Sequence, residues 1–107
     1  MNTKQIGEIL EDLVVAYFQE IDPKCRKTKA SGAKSEKSDI KIKGFKIECK
    51  KRNEENCIIN RKVWLKLNKE LNIYKFDIPI LILQNKFKEI FAVLDIKDLI
   101  KILKGGI

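Results

Sequence analysis

Apolar positions recur with a helical period over residues 4–20. Ile6, Leu10, Leu13, Val14, Tyr17, Phe18 and Ile21 fall on one side of a helix. Asp22-Pro23 ends it, because proline has no N–H to give and crowds the residue before it. Residues 24–29 predict a first strand, and the small polar residues 30–38 predict a loop. The period then switches to two. Ile40 and Ile42 alternate with Asp39, Lys41 and Lys43; Phe45, Ile47 and Cys49 alternate with Lys46, Glu48 and Lys50. These are two strands, 39–43 and 45–50, each with an apolar and a polar face. Lys43-Gly44 predicts the tight turn between them, pairing Ile42 with Phe45 and Ile40 with Ile47. A slip of one residue would set apolar against polar faces, so the register is specified.

Asn60 predicts the N-cap of a second helix over 61–73, with Trp64, Leu67, Leu71 and Tyr74 as its stripe. Ile78 to Leu83 is a continuous apolar run, the signature of a buried strand, with Pro79 near its start. A turn at Gln84–Lys86 leads to a strand over 88–94. Asp95 and Asp98 take the N-cap and N3 positions of a last helix, 96–104, stopped by Gly105-Gly106. The reading is a single-domain α/β layer fold, a mixed central sheet flanked by helices, in the order α-β-β-β-α-β-β-α.

Composition narrows the function. At 107 residues there is room for one domain, covering 1–107. No apolar run approaches the roughly 20 residues that span a bilayer, and the polar start does not resemble a secretory leader, so no membrane association and a cytoplasmic location are expected. Three cysteines at irregular spacing suit free thiols better than a zinc site. There is no histidine, which excludes a Ser-His-Asp triad and every histidine-metal nuclease. Catalysis, if present, runs on carboxylates, lysine and metal. The net charge of +8 suits a polyanion such as nucleic acid. Part of the lysine excess is compositional in a chain rich in Lys, Ile and Asn, so placement says more. Lys24, Arg26, Lys27, Lys29, Lys34 and Lys37 precede Asp39, and Lys51 and Arg52 follow Lys50.

The hairpin register also sets Asp39 opposite Glu48. Two carboxylates about 4.5–5.5 Å apart at Cβ repel each other unless a cation lies between them. A hard divalent ion, Mg²⁺ or Mn²⁺, suits such oxygen ligands, and the Cys49 backbone carbonyl could add another. Lys50, two residues on from Glu48, shares its face and could orient a metal-bound water or stabilise developing phosphoryl charge. The competing reading is a solvated face, because Glu-x-Lys on a strand is common in a chain that is 36% charged. Lys66 and Lys69 read as the solvated face of their helix, Trp64 as a core anchor and Cys49 as a small core residue.

The ordered set of elements, with Asp-x8-Glu-x-Lys on the second and third strands, resembles the PD-(D/E)XK nuclease superfamily (a restriction-endonuclease-like fold). The resemblance is greatest to small archaeal Holliday junction resolvases and phage-type endonucleases. Five stretches carry it: Gly7-Glu8-Ile9-Leu10-Glu11; Arg26 through Ser31-Gly32-Ala33; Ser38-Asp39-Ile40; Ile47-Glu48-Cys49-Lys50; and Val63 to Leu67 followed by Ile78 to Leu81. The resemblance implies that Asp39 and Glu48 hold metal, that Lys50 is the catalytic lysine, and that Glu11 completes the site from the first helix. Glu11 also lies at the edge of the apolar stripe, where it can turn toward the sheet; the competing reading is an ordinary boundary glutamate. Arg26, Lys27, Lys29, Ser31, Lys34, Lys37, Lys51 and Arg52 would meet DNA, with Ser31 a plain loop residue on the competing reading. The family's activity would be Mg²⁺- or Mn²⁺-dependent hydrolysis of DNA, selective for branched structures, and paired symmetric cuts would require a homodimer. The chain departs from the pattern in having Ser38 where the motif has proline, which many members also lack, a longer loop between Ser31 and Asp39 than in the archaeal resolvases, and a tail after residue 94. A non-catalytic nucleic-acid-binding module of the same fold, or a restriction or repair nuclease on linear or nicked DNA, are the alternatives.

Overall fold

A computed structural model describes residues 3–27, 40–70 and 77–105. Helix α1 (Thr3–Gln19) leads to β1 (Arg26–Lys27), β2 (Ile40–Ile42) and β3 (Phe45–Lys51). Helix α2 (Arg61–Glu70), β4 (Ile78–Gln84), β5 (Ile90–Val93) and α3 (Ile96–Leu103) follow. The strands form one five-stranded mixed sheet in the order β1-β2-β3-β4-β5. Every neighbouring pair is antiparallel except β3 and β4, which run parallel.

The hairpin adopts the register expected from its alternation, with Ile42 opposite Phe45 and Ile40 opposite Ile47. Its turn depends on Gly44, whose φ of 89° lies in the left-handed region that costs glycine nothing. The Gly44 carbonyl accepts from the Ile78 N–H at 3.0 Å and so ties the turn to the start of β4. Parallel strands need a crossover between them. Here α2 supplies it, capped as expected by Asn60, whose Oδ1 accepts from the Lys62 and Val63 N–H groups at 2.9 and 3.2 Å.

Alternation divides the core into two layers. Ile47, Cys49, Ile80 and Ile82 point to one face, where Leu10 and Val14 of α1 pack with Ile40, Ile42 and Cys25. Leu81 and Leu83 point to the other, where Leu67, Val63 and Trp64 of α2 cover them. Trp64 is therefore a core anchor. All seven residues of β4 are buried, as its unbroken apolar run requires.

Some expectations change. The α1 stripe is narrower than its sequence period suggests: Leu10 and Val14 are buried and Phe18 packs against the core, but Leu13, Tyr17 and Ile21 are exposed. The sheet covers the Leu10, Val14 and Phe18 row with Val15 beside it, and the row of Leu13 and Tyr17 on the other side turns outward. Strand β1 is two residues long in the described chain, shorter than 24–29, with residues 28 and 29 outside the described residues. Leu71 and Tyr74 also lie outside them. Strand β5 begins at Ile90 rather than 88, because Lys88 adopts a φ of 65° in the preceding turn.

That turn starts at Asn85, one residue later than expected. The Asn85 side chain is 2% exposed and every hydrogen-bonding group on it is used. Its Nδ2 donates to the Glu55 carbonyl and to Glu89 Oε1, both at 2.8 Å. Its Oδ1 accepts from the Phe87 and Glu89 N–H groups, both at 3.0 Å. A buried amide is tolerable only when satisfied in this way. It fixes the β4–β5 turn and the 54–56 segment together. At the other end of β5, Asp95 caps α3 by accepting from the Lys97 N–H at 2.8 Å, and Gly105, with φ of 72°, closes the helix.

Candidate functional site

The site is built on β3, the central strand. By parity Lys46, Glu48 and Lys50 share the face that α2 covers over β4, and each stands beside an apolar partner there: Pro79, Leu81 and Leu83 respectively. The expected polar face is therefore not a solvated one. Lys46 is only 6% exposed. The side chains of Glu48 and Lys50 are 18% and 34% exposed. β4 lies beside all three residues and β2 beside Lys46, so these charges are partly withdrawn from water, where burial costs several kcal/mol per unpaired ion and favours partners.

Glu48 and Lys50 supply such a pair. Same-face residues on a strand are about 6.6 Å apart along the chain, a gap that the lysine side chain spans. Lys50 Nζ stands 3.4 Å from Glu48 Oε1. That exceeds the roughly 2.7–2.9 Å of a strong charge-assisted hydrogen bond, so the contact is an ion pair, and the ammonium keeps further N–H donors. The pair lies toward the carboxyl end of β3, where the parallel neighbour β4 also ends at Gln84. Carboxyl ends of parallel strands are the usual ligand-binding edge of open α/β sheets.

The other expected members are distributed as follows. Asp39 lies outside the described residues, as do Lys29, Ser31, Lys34 and Lys37. The described hairpin pairing ends at Ile40 opposite Ile47, one step short of Glu48. Glu11 is half buried on α1 between Leu10 and Val14. Its helix packs against the Ile47 and Cys49 face, the side of β3 opposite to Glu48 and Lys50. Cys49 is buried on that same face, as expected of a small core residue.

Among the basic residues, Arg26 and Lys27 are exposed on β1 at the sheet edge. The Lys27 ammonium pairs with Asp12 Oδ1 of α1 at 2.8 Å, and Arg26 Nη1 donates to the Lys27 carbonyl at 3.3 Å. Lys51 and Arg52, expected to meet phosphate, also do structural work. The Lys51 ammonium donates to the Asn85 carbonyl at 2.8 Å, and the Arg52 N–H extends the β3–β4 ladder by donating to the Gln84 carbonyl at 2.8 Å. Lys46 and Asn85 were missed as site and scaffold residues. The same-face spacing of Lys46 and Glu48 was a visible signal for the first. Nothing in the sequence announced the second, whose side-chain partners lie up to 30 residues away.

Among the described residues no three His, Cys, Asp or Glu side chains gather as a metal site requires; the expected third acid, Asp39, is not one of those residues. The donor set of Glu48, Asp39 and the Cys49 carbonyl is all oxygen, which is the chemistry a hard divalent cation prefers. No helix among the described residues is long and apolar enough to cross a membrane. Comparison with known proteins leaves the site to be judged on its geometry: no protein family matches the chain, and no curated protein or solved structure matches it either.

Proposed function

We propose that this protein is a metal-dependent DNA endonuclease of the PD-(D/E)XK type, selective for branched DNA. The observation that carries the reading is the Glu48–Lys50 pair, set on the central strand of a mixed sheet at the carboxyl end of two parallel strands. Packing does not ask for charges there, since β4 places leucines at the same level of the same face. The antiparallel hairpin joined to a parallel β4, with α1 and α2 on opposite faces, supports the fold assignment.

On this reading Glu48 and Asp39 would hold Mg²⁺ or Mn²⁺, and Glu11, whose helix packs on the opposite face of β3, would not reach that ion. The ion would supply Lewis acidity and a water of lowered pKa. Lys50, held beside Glu48, orients the attacking water and offsets the negative charge that builds on the phosphoryl oxygens. Its ion pair with Glu48 keeps the ammonium at the reacting phosphate. Arg26, Lys27 and Arg52 contact the DNA backbone together with Lys29, Lys34 and Lys37, so affinity falls as salt rises.

The test is cleavage of a panel containing a four-way junction, nicked duplex, linear duplex and single strand, with Mg²⁺ or Mn²⁺, wild type beside Glu48→Ala. Metal-dependent cutting by the wild type and not by the variant supports the nuclease, and paired symmetric nicks confined to the junction support a resolvase. Tight, salt-sensitive binding with no cutting of any substrate would replace this reading with a non-catalytic binding module.

A further inference from the structure

A depression of about 380 Å³ opens on the α2 face of the sheet, between the 55–59 segment and β5. Its base is apolar, with Leu83 buried and Val93 packed beside it. Ile59 and Phe91 also line it, and both are half exposed, Phe91 to 48%. The polar atoms come from Glu55, Asn56, Asn85 and Glu89, and no lining residue is basic. The Asn85 amide is fully used within the fold. The other three keep bonding capacity. Glu55 Oε1 stands 3.6 Å from the Lys86 ammonium, and Glu89 Oε1 accepts from Asn85 Nδ2, but a carboxylate offers about four lone-pair sites. Among the described residues no hydrogen bond engages the Asn56 side chain. An apolar base, an aromatic side and a rim rich in acceptors complement a flat ring that carries an amine. A phosphate or a fatty-acid carboxylate would meet two acids there.

Position narrows the choice of ring. Lys50, Leu83 and Phe91 stand abreast on β3, β4 and β5. Two strand spacings put Phe91 about 10 Å from Lys50, a span that a nucleotide covers from phosphate to base. The β3 side is basic, with Lys50 and the Arg52 guanidinium, and the β5 side is apolar and acidic. A strand lying across this edge can therefore keep its phosphates on β3 and turn one base toward β5. A paired base is stacked and faces its partner strand, so it enters such a depression only after leaving the duplex. That cost is smallest for a base already unpaired.

We propose that the depression beside β5 binds one unpaired, amine-bearing nucleobase of a DNA strand: adenine, cytosine or guanine. Phe91 supplies the stacking contact, which every base can use. Asn56, Glu55 and Glu89 take the exocyclic amine, a group that thymine lacks. The inference rests on the reading of the protein as one that acts on DNA. It names the feature selected, an unpaired base next to the phosphate at Lys50.

The test is fluorescence anisotropy of labelled duplexes with the full chain in EDTA, where binding is read without cutting. Each duplex carries a single unpaired position holding adenine, cytosine, thymine or an abasic sugar. Unpaired adenine or cytosine should bind at least about tenfold tighter than the abasic site and about fivefold tighter than thymine. Phe91→Ala and Asn56→Ala should each erase these preferences. The readout is a ratio between two DNAs on one preparation, so partial loss of folded protein cancels. If Phe91→Ala unfolds by circular dichroism, Asn56→Ala, at an exposed position, decides. The same duplexes with Mg²⁺ report cutting separately. A protein that prefers the unpaired base but cuts nothing keeps this proposal and removes the nuclease reading, and one that cuts without the preference does the reverse. Equal affinity for all four duplexes, a preference that neither variant weakens, no binding of any DNA, or displacement of the DNA by micromolar free deoxyadenosine monophosphate overturns the proposal.

Discussion

Strands β3 and β4 lie side by side, run in the same direction and are seven residues long each. Toward α2, β4 places Pro79, Leu81 and Leu83. At the same levels β3 places Lys46, Glu48 and Lys50. The first set is what two-sided burial in a parallel pair ordinarily produces. The second costs desolvation that packing alone does not repay, and it is kept only through ion pairs and hydrogen bonds such as Lys50 to Glu48. Two strands of one core thus have separate roles. β4 holds the sheet together, and β3 carries groups that a folded sheet does not need. On the reading proposed above, those groups do chemistry.

The sharpest division between the strands is expected at one register pair, Glu48 beside Leu81. Glu48→Ala should lower metal-dependent cleavage by about 10³-fold or more, equivalent to about 4 kcal/mol of transition-state stabilisation, and, because it leaves the part-buried Lys50 without its partner, should lower the urea midpoint as well. Cleavage kinetics and equilibrium unfolding of the same preparation measure both. A Glu48→Ala protein that cuts like wild type removes chemistry from β3. Leu81→Ala should act on stability, costing about 2–5 kcal/mol through a cavity between the sheet and α2, read as a fall in the denaturation midpoint. If the alanine at 81 leaves stability intact, β4 is not the scaffold described here.

The strand ends extend the contrast. β4 runs into Asn85, whose amide holds the turn through four hydrogen bonds. Asn85→Ala strands the groups it satisfies and should cost about 1–3 kcal/mol, with faster amide exchange at Phe87 and Glu89 as its local sign. β3 runs into Arg52, whose backbone is committed to the ladder while its guanidinium serves the DNA in the proposed function. Arg52→Ala should reduce the slope of log affinity against log salt by about one phosphate contact and leave stability nearly unchanged. An unaltered slope would assign Arg52 to structure alone.

The smallest effect concerns Cys25, buried beneath α1. Burial pushes its thiol pKa up, and the negative charge of Asp22 adds to the shift. The folded protein therefore holds this proton more tightly than the unfolded chain. The stabilisation is complete below the ordinary thiol value of about 8.5 and is lost as pH rises through the raised one. Unfolding free energy measured between pH 8 and 10 should decline, and Cys25→Ala should flatten the decline even though it lowers the starting value. A decline of equal steepness in the variant would trace it to other groups.

Most of the local structure was legible before any coordinates. The alternation of Ile40, Ile42, Phe45, Ile47 and Cys49 specified the hairpin register, since apolar faces match in one alignment only. Asn60 and Asp95 marked helix starts through short side chains that reach their own backbone. The unbroken run from Ile78 announced a buried strand. Less could be read where the outcome depended on a second element. Leu13, Tyr17 and Ile21 looked like core because a helical period does not say how wide a strip the sheet will cover. Lys51 looked like a phosphate ligand because the Asn85 carbonyl that receives it is 34 residues away.

The candidate site shows the same split. Sequence by itself determined that Glu48 and Lys50 share a face of a strand, because side chains alternate along any extended chain whatever surrounds it. Only the tertiary structure decided that this strand is central, that its polar face lies beside Leu81 and Leu83 of β4 rather than open to solvent, and that Lys46 beside them is buried. Burial comes from residues distant in sequence. The alternation of one strand therefore names the groups that could act together, and the neighbours that the fold brings in determine how dry and how charged their surroundings become.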